Sequence, residues 1–202
     1  MRLKLSFLFF SISLILLQAA LADPVRLATG EGLMGRFIQT RYLAGFDKPI
    51  VSEGKFFLLP KIGLTWQTEK PIRTYMIVDN DGIRQSIAGK EVSNLSISRF
   101  PALAVLRDVL ENSMSGNWDP LEKMAGSDIV KDTGGWRLEF IPTISEVKLP
   151  FTALSFEMTD YLDKIEISKG ENDKDVIIFF DQQQAPIDII QEAAEKSKQA
   201  AH

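Results

Sequence analysis

Two acidic clusters are where this chain first suggests chemistry. Asp79 and Asp81 stand two apart, and Asp160, Asp163 and Glu166 follow one another closely; grouped carboxylates are what a divalent-cation site or an acid–base pair is built from. Asp79-Asn80-Asp81-Gly82, however, has the composition of a tight turn whose residues tolerate positive φ, and the later cluster reads as the solvated edge of a hairpin. The single histidine is His202 at the end of the sequence, so a Ser-His-Asp triad or a histidine-rich zinc site has no imidazole to hold inside a fold. There is no cysteine, which removes thiolate catalysis, iron–sulfur clusters and disulfides. Gly126 to Gly135 lacks a phosphate-loop pattern, and Asn94-Leu95-Ser96 spells a glycosylation sequon. No catalytic residue, metal ligand or cofactor is expected, and the protein is expected not to be an enzyme.

Chemistry being scarce, the elements carry the information. Of 202 residues 45% are apolar and 25% charged, with a formal net charge of -4, the proportions of a folded protein. Lys and Arg number 23 against 27 acidic residues, with no long basic block, so nucleic acid is not an expected partner.

Residues 1–22 have the form of a secretory leader. Met1-Arg2-Leu3-Lys4 is positive, Leu5 to Leu17 is apolar apart from Ser6, Ser11 and Ser13, and Ala20-Leu21-Ala22 is a small-x-small cleavage pattern. The run is short of the roughly 20 residues needed to span a bilayer. The expected mature chain starts at Asp23, forms one domain over 23–202, and carries 21 basic and 27 acidic residues once Arg2 and Lys4 are removed.

Within that domain the pattern is mainly strand, with expected spans Leu33–Leu43, Ile50–Leu59, Gly63–Thr68, Arg73–Val78, Ile83–Ile87, Trp136–Ile141, Phe151–Met158, Lys164–Ser168 and Val176–Phe180. Turn residues Asp79–Gly82 and Lys169–Asp173 join neighbouring strands, which predicts antiparallel meander pairing. Phe100–Met114 carries Leu103, Leu106 and Leu110 at helical spacing behind Pro101. Asp119 caps a short helix over Leu121–Ala125, and Pro186–Ala201 forms a last one. From Phe37 to Met76 the apolar residues Phe37, Phe46, Phe56, Phe57, Leu58, Leu59, Leu64, Trp66 and Met76 outnumber what two short helices can cover. They make either an ordinary sheet core or the wall of a cavity.

The stretch Gly35-Arg36-Phe37-Ile38-Gln39-Thr40-Arg41-Tyr42-Leu43-Ala44-Gly45-Phe46, then Lys48-Pro49-Ile50-Val51-Ser52-Glu53-Gly54-Lys55-Phe56 and Gly63-Leu64-Thr65-Trp66-Gln67-Thr68-Glu69-Lys70-Pro71, resembles the N-terminal half of the LolA-type outer-membrane lipoprotein carriers. Gly134-Gly135-Trp136-Arg137-Leu138 before Pro142, and the final hairpin Lys164–Ile167 with Val176–Phe179, agree more weakly. The resemblance implies an α+β, mainly β fold: a strongly curved antiparallel sheet forming a half-open barrel, with short helices as a lid over an apolar cavity. It implies a monomeric periplasmic carrier that takes the acyl chains of lipoproteins from an inner-membrane release transporter to an outer-membrane acceptor. Leu64 and Trp66 match family positions that face the cavity. Phe37, Phe56 and Met76 are added from the strand pattern, and Leu103, Leu106 and Leu110 are assigned to the lid helix.

Two departures concern that lid. Leu58-Leu59-Pro60-Lys61 stands where the better-known carriers place an arginine before a proline, and only Asp23 to Gly32 precedes the first strand. Together they predict a looser lid, and they leave open another acylated lipid or glycolipid as cargo, or a protein-binding envelope scaffold.

Overall fold

The computed structural model describes residues 25–125, 130–132, 135–141, 151–170 and 172–199. The leader, its cleavage site and Pro142 lie outside them. Among the described residues eleven strands form one sheet: β1 Glu31–Tyr42, β2 Ile50–Leu59, β3 Gly63–Lys70, β4 Thr74–Asp79, β5 Gly82–Ile87, β6 Lys90–Ser96, β7 Val130–Asp132, β8 Gly135–Phe140, β9 Ala153–Met158, β10 Leu162–Gly170 and β11 Asp173–Pro186. Helices α1 Ala102–Met114 and α2 Trp118–Ala125 fall between β6 and β7, and α3 Ile187–Gln199 follows β11.

The strand order is β6-β5-β4-β3-β2-β1-β11-β10-β9-β8-β7, with every neighbouring pair antiparallel. Strands consecutive in the chain pair within each half, making both halves meanders, and β1 with β11 seams them together. The sheet does not close, since β6 and β7 are its two edges. Strands β5 and β8 are eight steps apart, which on a flat sheet would be roughly 38 Å. Yet the adjacent helices α1 and α2 pack against β5 and β8 respectively, so the sheet curls around them as a half-open barrel.

Both faces are covered. Strand period two sends Phe56 and Leu58 inward with Phe37, Leu64, Trp66 and Val78, where α1 supplies Val109 and Met114. It sends Phe57 and Leu59 outward against Ile190 and Ala194 of α3. The run Phe56-Phe57-Leu58-Leu59 is therefore buried without a break, as expected of a strand packed on both sides. Part of the apolar surplus counted in the sequence thus lies under α3 and away from the concave face.

The departures from the expected elements have local causes. Strand β6 is not visible in the pattern because its apolar residues, Val92 and Leu95, are exposed; it is an edge strand held by backbone pairing to β5. Asn94-Leu95-Ser96 lies on it. The three-residue β7 offers no period to read. Helix α2 begins at Trp118, so Asp119 sits in its first turn and pairs with Arg26 at 2.9 Å, where a negative charge suits the helix dipole. Between β4 and β5, Asp79 Oδ1 accepts the backbone N–H groups of Asp81 at 2.9 Å and Gly82 at 3.1 Å, and the other oxygen meets Arg84. Asp79 is a turn former.

Candidate functional site

The concave face changes character along its strands. Cross-strand register puts Trp66 beside Met76 and Met76 beside Gln85, while farther along the sheet Gln39 stands beside Ser52, Arg41 beside Ile50, and Thr68 beside Thr74. Toward one end of the strands this face is aromatic and aliphatic; toward the other it is polar.

A cavity of about 530 Å³ opens between this face and α1, within the roughly 300–1,000 Å³ typical of small-ligand sites. Leu64, Trp66 and Met76 form its wall on one half of the sheet, Ile167 of β10 and Ile177 of β11 the wall on the other, and Leu106 and Leu110 its roof from α1. Gln39, Arg41, Ser52, Thr68 and Thr74 line its polar part, with Ile72 at the rim.

The residues singled out in the sequence are thus divided. Leu64, Trp66, Met76, Leu106 and Leu110 come together around the cavity. Phe37 and Phe56 are fully buried beneath it: Phe37 stacks on Trp66 with ring centroids 3.9 Å apart, and Phe56 meets Phe179 edge-on at 5.4 Å. Leu103 is half-buried on α1 and is not among the lining residues. Sequence reasoning did not select Ile167, Ile177, Arg41 or Gln39. Alternation marks Ile167 and Ile177 as inward-facing, but only sheet closure toward α1 turns them to the same space as Leu64.

Helix α1 is fastened along one side by polar contacts. The backbone N–H of Lys61, in the β2–β3 turn at φ 67°, donates to Glu111 Oε1 at 2.9 Å. Arg107 Nη1 donates to Asn80 Oδ1 at 3.1 Å, and Asn80 Nδ2 reaches back to the Lys61 carbonyl at 3.3 Å. These contacts fasten α1 to the β2–β3 and β4–β5 turns, with the charged groups supplied by the helix. Leu59 packs under α3 on the opposite face. The described N-terminal residues 25–28 are not helical; Val25 N–H donates to the Asp160 carbonyl at 2.6 Å and Leu27 N–H to that of Ser115 at 3.0 Å, tying the end of α1 to the β9–β10 turn.

One ionised cluster borders the cavity. Asp175, 3% exposed, accepts Arg41 Nε at 3.0 Å, Arg41 Nη2 at 3.1 Å, Gln39 Nε2 at 3.0 Å and Lys169 Nζ at 2.7 Å. Burial by itself pushes the Asp175 carboxyl up, but the hydrogen bonds from Arg41 and Lys169, with their positive charges, outweigh it and hold the group below the usual carboxylate value.

A larger, more open depression of about 680 Å³ lies on the other face between β3 and α3. Its lining includes Lys55, Glu69, Lys70 and Lys196, and these charges are paired: Lys55 with Glu69 at 2.9 Å, Lys70 with Glu53 at 2.6 Å and Lys196 with Glu192 at 2.6 Å. Such a surface does not suit an apolar ligand, and the concave cavity is the better candidate.

No protein-family model matches the chain, and no curated protein matches it. Among solved structures it is similar to a LolA superfamily protein from Nitrosomonas europaea, at 8% identity and a TM-score of 0.40, over 84% of this chain and 93% of that one. It is also similar to a DUF1329 family protein from Desulfovibrio piger, at 7% identity and a TM-score of 0.39, over 77% of this chain and 86% of that one. At this level of agreement neither likeness bears on function, and the site is read from its own geometry.

Proposed function

We propose that this protein is a periplasmic carrier that holds an acyl chain in the cavity under α1 and shuttles acylated lipoprotein or a related lipid from inner to outer membrane. The observation that carries this reading is the cavity itself: a space of about 530 Å³ walled by Leu64, Trp66, Met76, Ile167 and Ile177 and roofed by an amphipathic helix. Burying a methylene is worth about 0.8 kcal/mol, so an acyl chain of around 15 methylenes costs on the order of 12 kcal/mol to expose to water. A binding wall recovers that energy, and a hinged roof lets it be surrendered at the acceptor. Among the described residues no helix is long and apolar enough to cross a membrane. A cleaved leader over 1–22 accounts for export, and the carrier acts as a monomer between a release transporter and an acceptor, performing no bond chemistry.

The test is uptake of a fluorescent fatty-acyl probe by the mature chain. Tight, saturable uptake that is lost in Met76→Glu while the variant keeps its melting temperature is the expected result. Absence of uptake in the unaltered protein would overturn the reading.

A further inference from the structure

Among the described residues lining the cavity, Arg41 alone is charged. It lies on β1 two residues beyond Gln39, where the concave face has turned polar, and its side chain is 45% exposed. Asp175 grips the guanidinium through Nε and Nη2. Of the five N–H donors an arginine carries, that bidentate grip consumes two and fixes the plane of the rest. The same carboxylate also takes Lys169, so two cations share one buried anion at the polar end of the cavity. The nearby pair Lys174 and Glu166, 3.2 Å apart, is self-neutralised, while Asp173 is turned to the backbone N–H of Ala44 and keeps its charge.

We infer that the cavity takes a single-headed amphiphile whose anionic group, a carboxylate or a phosphate, is received by Arg41 while its chain lies along Leu64, Trp66, Met76 and Ile177. This rests on the acyl-chain reading above and narrows it to anionic lipids. Asp175 is then a positioning residue: it orients the guanidinium so that a planar, charge-assisted contact is preformed for the head. The hydroxyl and amide groups of Ser52, Thr68 and Gln39 add neutral donors beside it.

The experiment is displacement of an uncharged pyrene-alkane reporter from the mature protein by four ligands of equal chain length: palmitate, hexadecyl phosphate, hexadecanol and hexadecyltrimethylammonium. A charge-assisted hydrogen bond to the head predicts that palmitate or hexadecyl phosphate displaces at about ten- to a hundredfold lower concentration than hexadecanol, with the cationic ligand weakest. The margin should shrink in about 0.5 M salt. The tighter of the two anions identifies the head as carboxylate or phosphate. Arg41→Gln should bring the anions down to the level of hexadecanol, each displacement being referred to that variant's own affinity for the reporter. Should that variant fail to fold, the head-group series on the unaltered protein at two salt concentrations still decides. Equal displacement by hexadecanol and both anions would overturn the anionic head and leave the acyl cavity standing, whereas no binding of the reporter would overturn the cavity itself.

Discussion

Gly54 stands directly across the β1–β2 ladder from Phe37, whose ring lies stacked on Trp66 at an interplanar angle of 29°. What the glycine itself answers to is the close approach of β3 on its other side. A Cβ at position 54 would overlap the carbonyl oxygen of Gln67 on β3. Gly54→Ala should therefore cost about 3 kcal/mol or more, measured by urea unfolding, because the neighbour that must yield is backbone. A loss below about 1 kcal/mol would show that β2 and β3 separate easily at this bulge.

Two residues of the same wall should separate in a pair of truncations. Trp66 is almost fully buried and stacked, so Trp66→Ala should lose about 3–5 kcal/mol of stability. Met76 is only half-buried and lines the open cavity. Met76→Ala should lose about 1 kcal/mol or less, yet weaken acyl-probe binding several-fold. Thermal melts and probe titrations on the same samples distinguish them.

The fastening of α1 predicts a kinetic effect with little thermodynamic one. Arg107→Ala with Glu111→Ala removes the contacts to Asn80 and the Lys61 backbone. Partly exposed contacts of this kind are worth about 1 kcal/mol in sum, so the melting temperature should move little while stopped-flow release of a bound probe accelerates about fivefold. Leu59→Arg is the control. It places a charge beneath α3 and should destabilise the fold without slowing release.

Acid stability should carry the signature of Asp175. Its folded-state pKa is depressed, so its contribution is present above the unfolded carboxylate value of about 3.9 and is lost as pH falls through the lower folded value. In urea melts Asp175→Asn should be less stable than the unaltered protein at neutral pH by an amount constant down to about pH 5, and the gap should close below about pH 4. A gap that persists in acid would mean that the carboxylate's charge is not what Arg41 and Lys169 require.

For the leader, N-terminal sequencing of protein from the soluble periplasmic fraction should return Asp23. A sequence beginning at Met1 would place the chain elsewhere.

Strand existence in the first half was legible because its causes are local. Alternation over Leu33–Leu43 and Ile50–Leu59, with turn chemistry at Asp79–Gly82 and Lys169–Asp173, depends on near neighbours, and β2 coincides with its expected limits of Ile50 and Leu59. Where local cause is weak, as in exposed β6 or three-residue β7, the pattern is silent. The cavity is of the second kind. Phe37, Leu64 and Trp66 share one inward-facing pattern, and nothing in their spacing distinguishes floor from wall; that division depends on where α1 comes to rest. Arg41 and Asp175 are 134 residues apart, and they meet because β1 and β11 seam the two meanders in a register that sets them side by side. Local sequence determined the strands, their inward faces and the poverty of catalytic groups. Only the curling of the sheet, a sum of twist and packing over eleven strands, decided which inward residues enclose empty space and which charge looks into it.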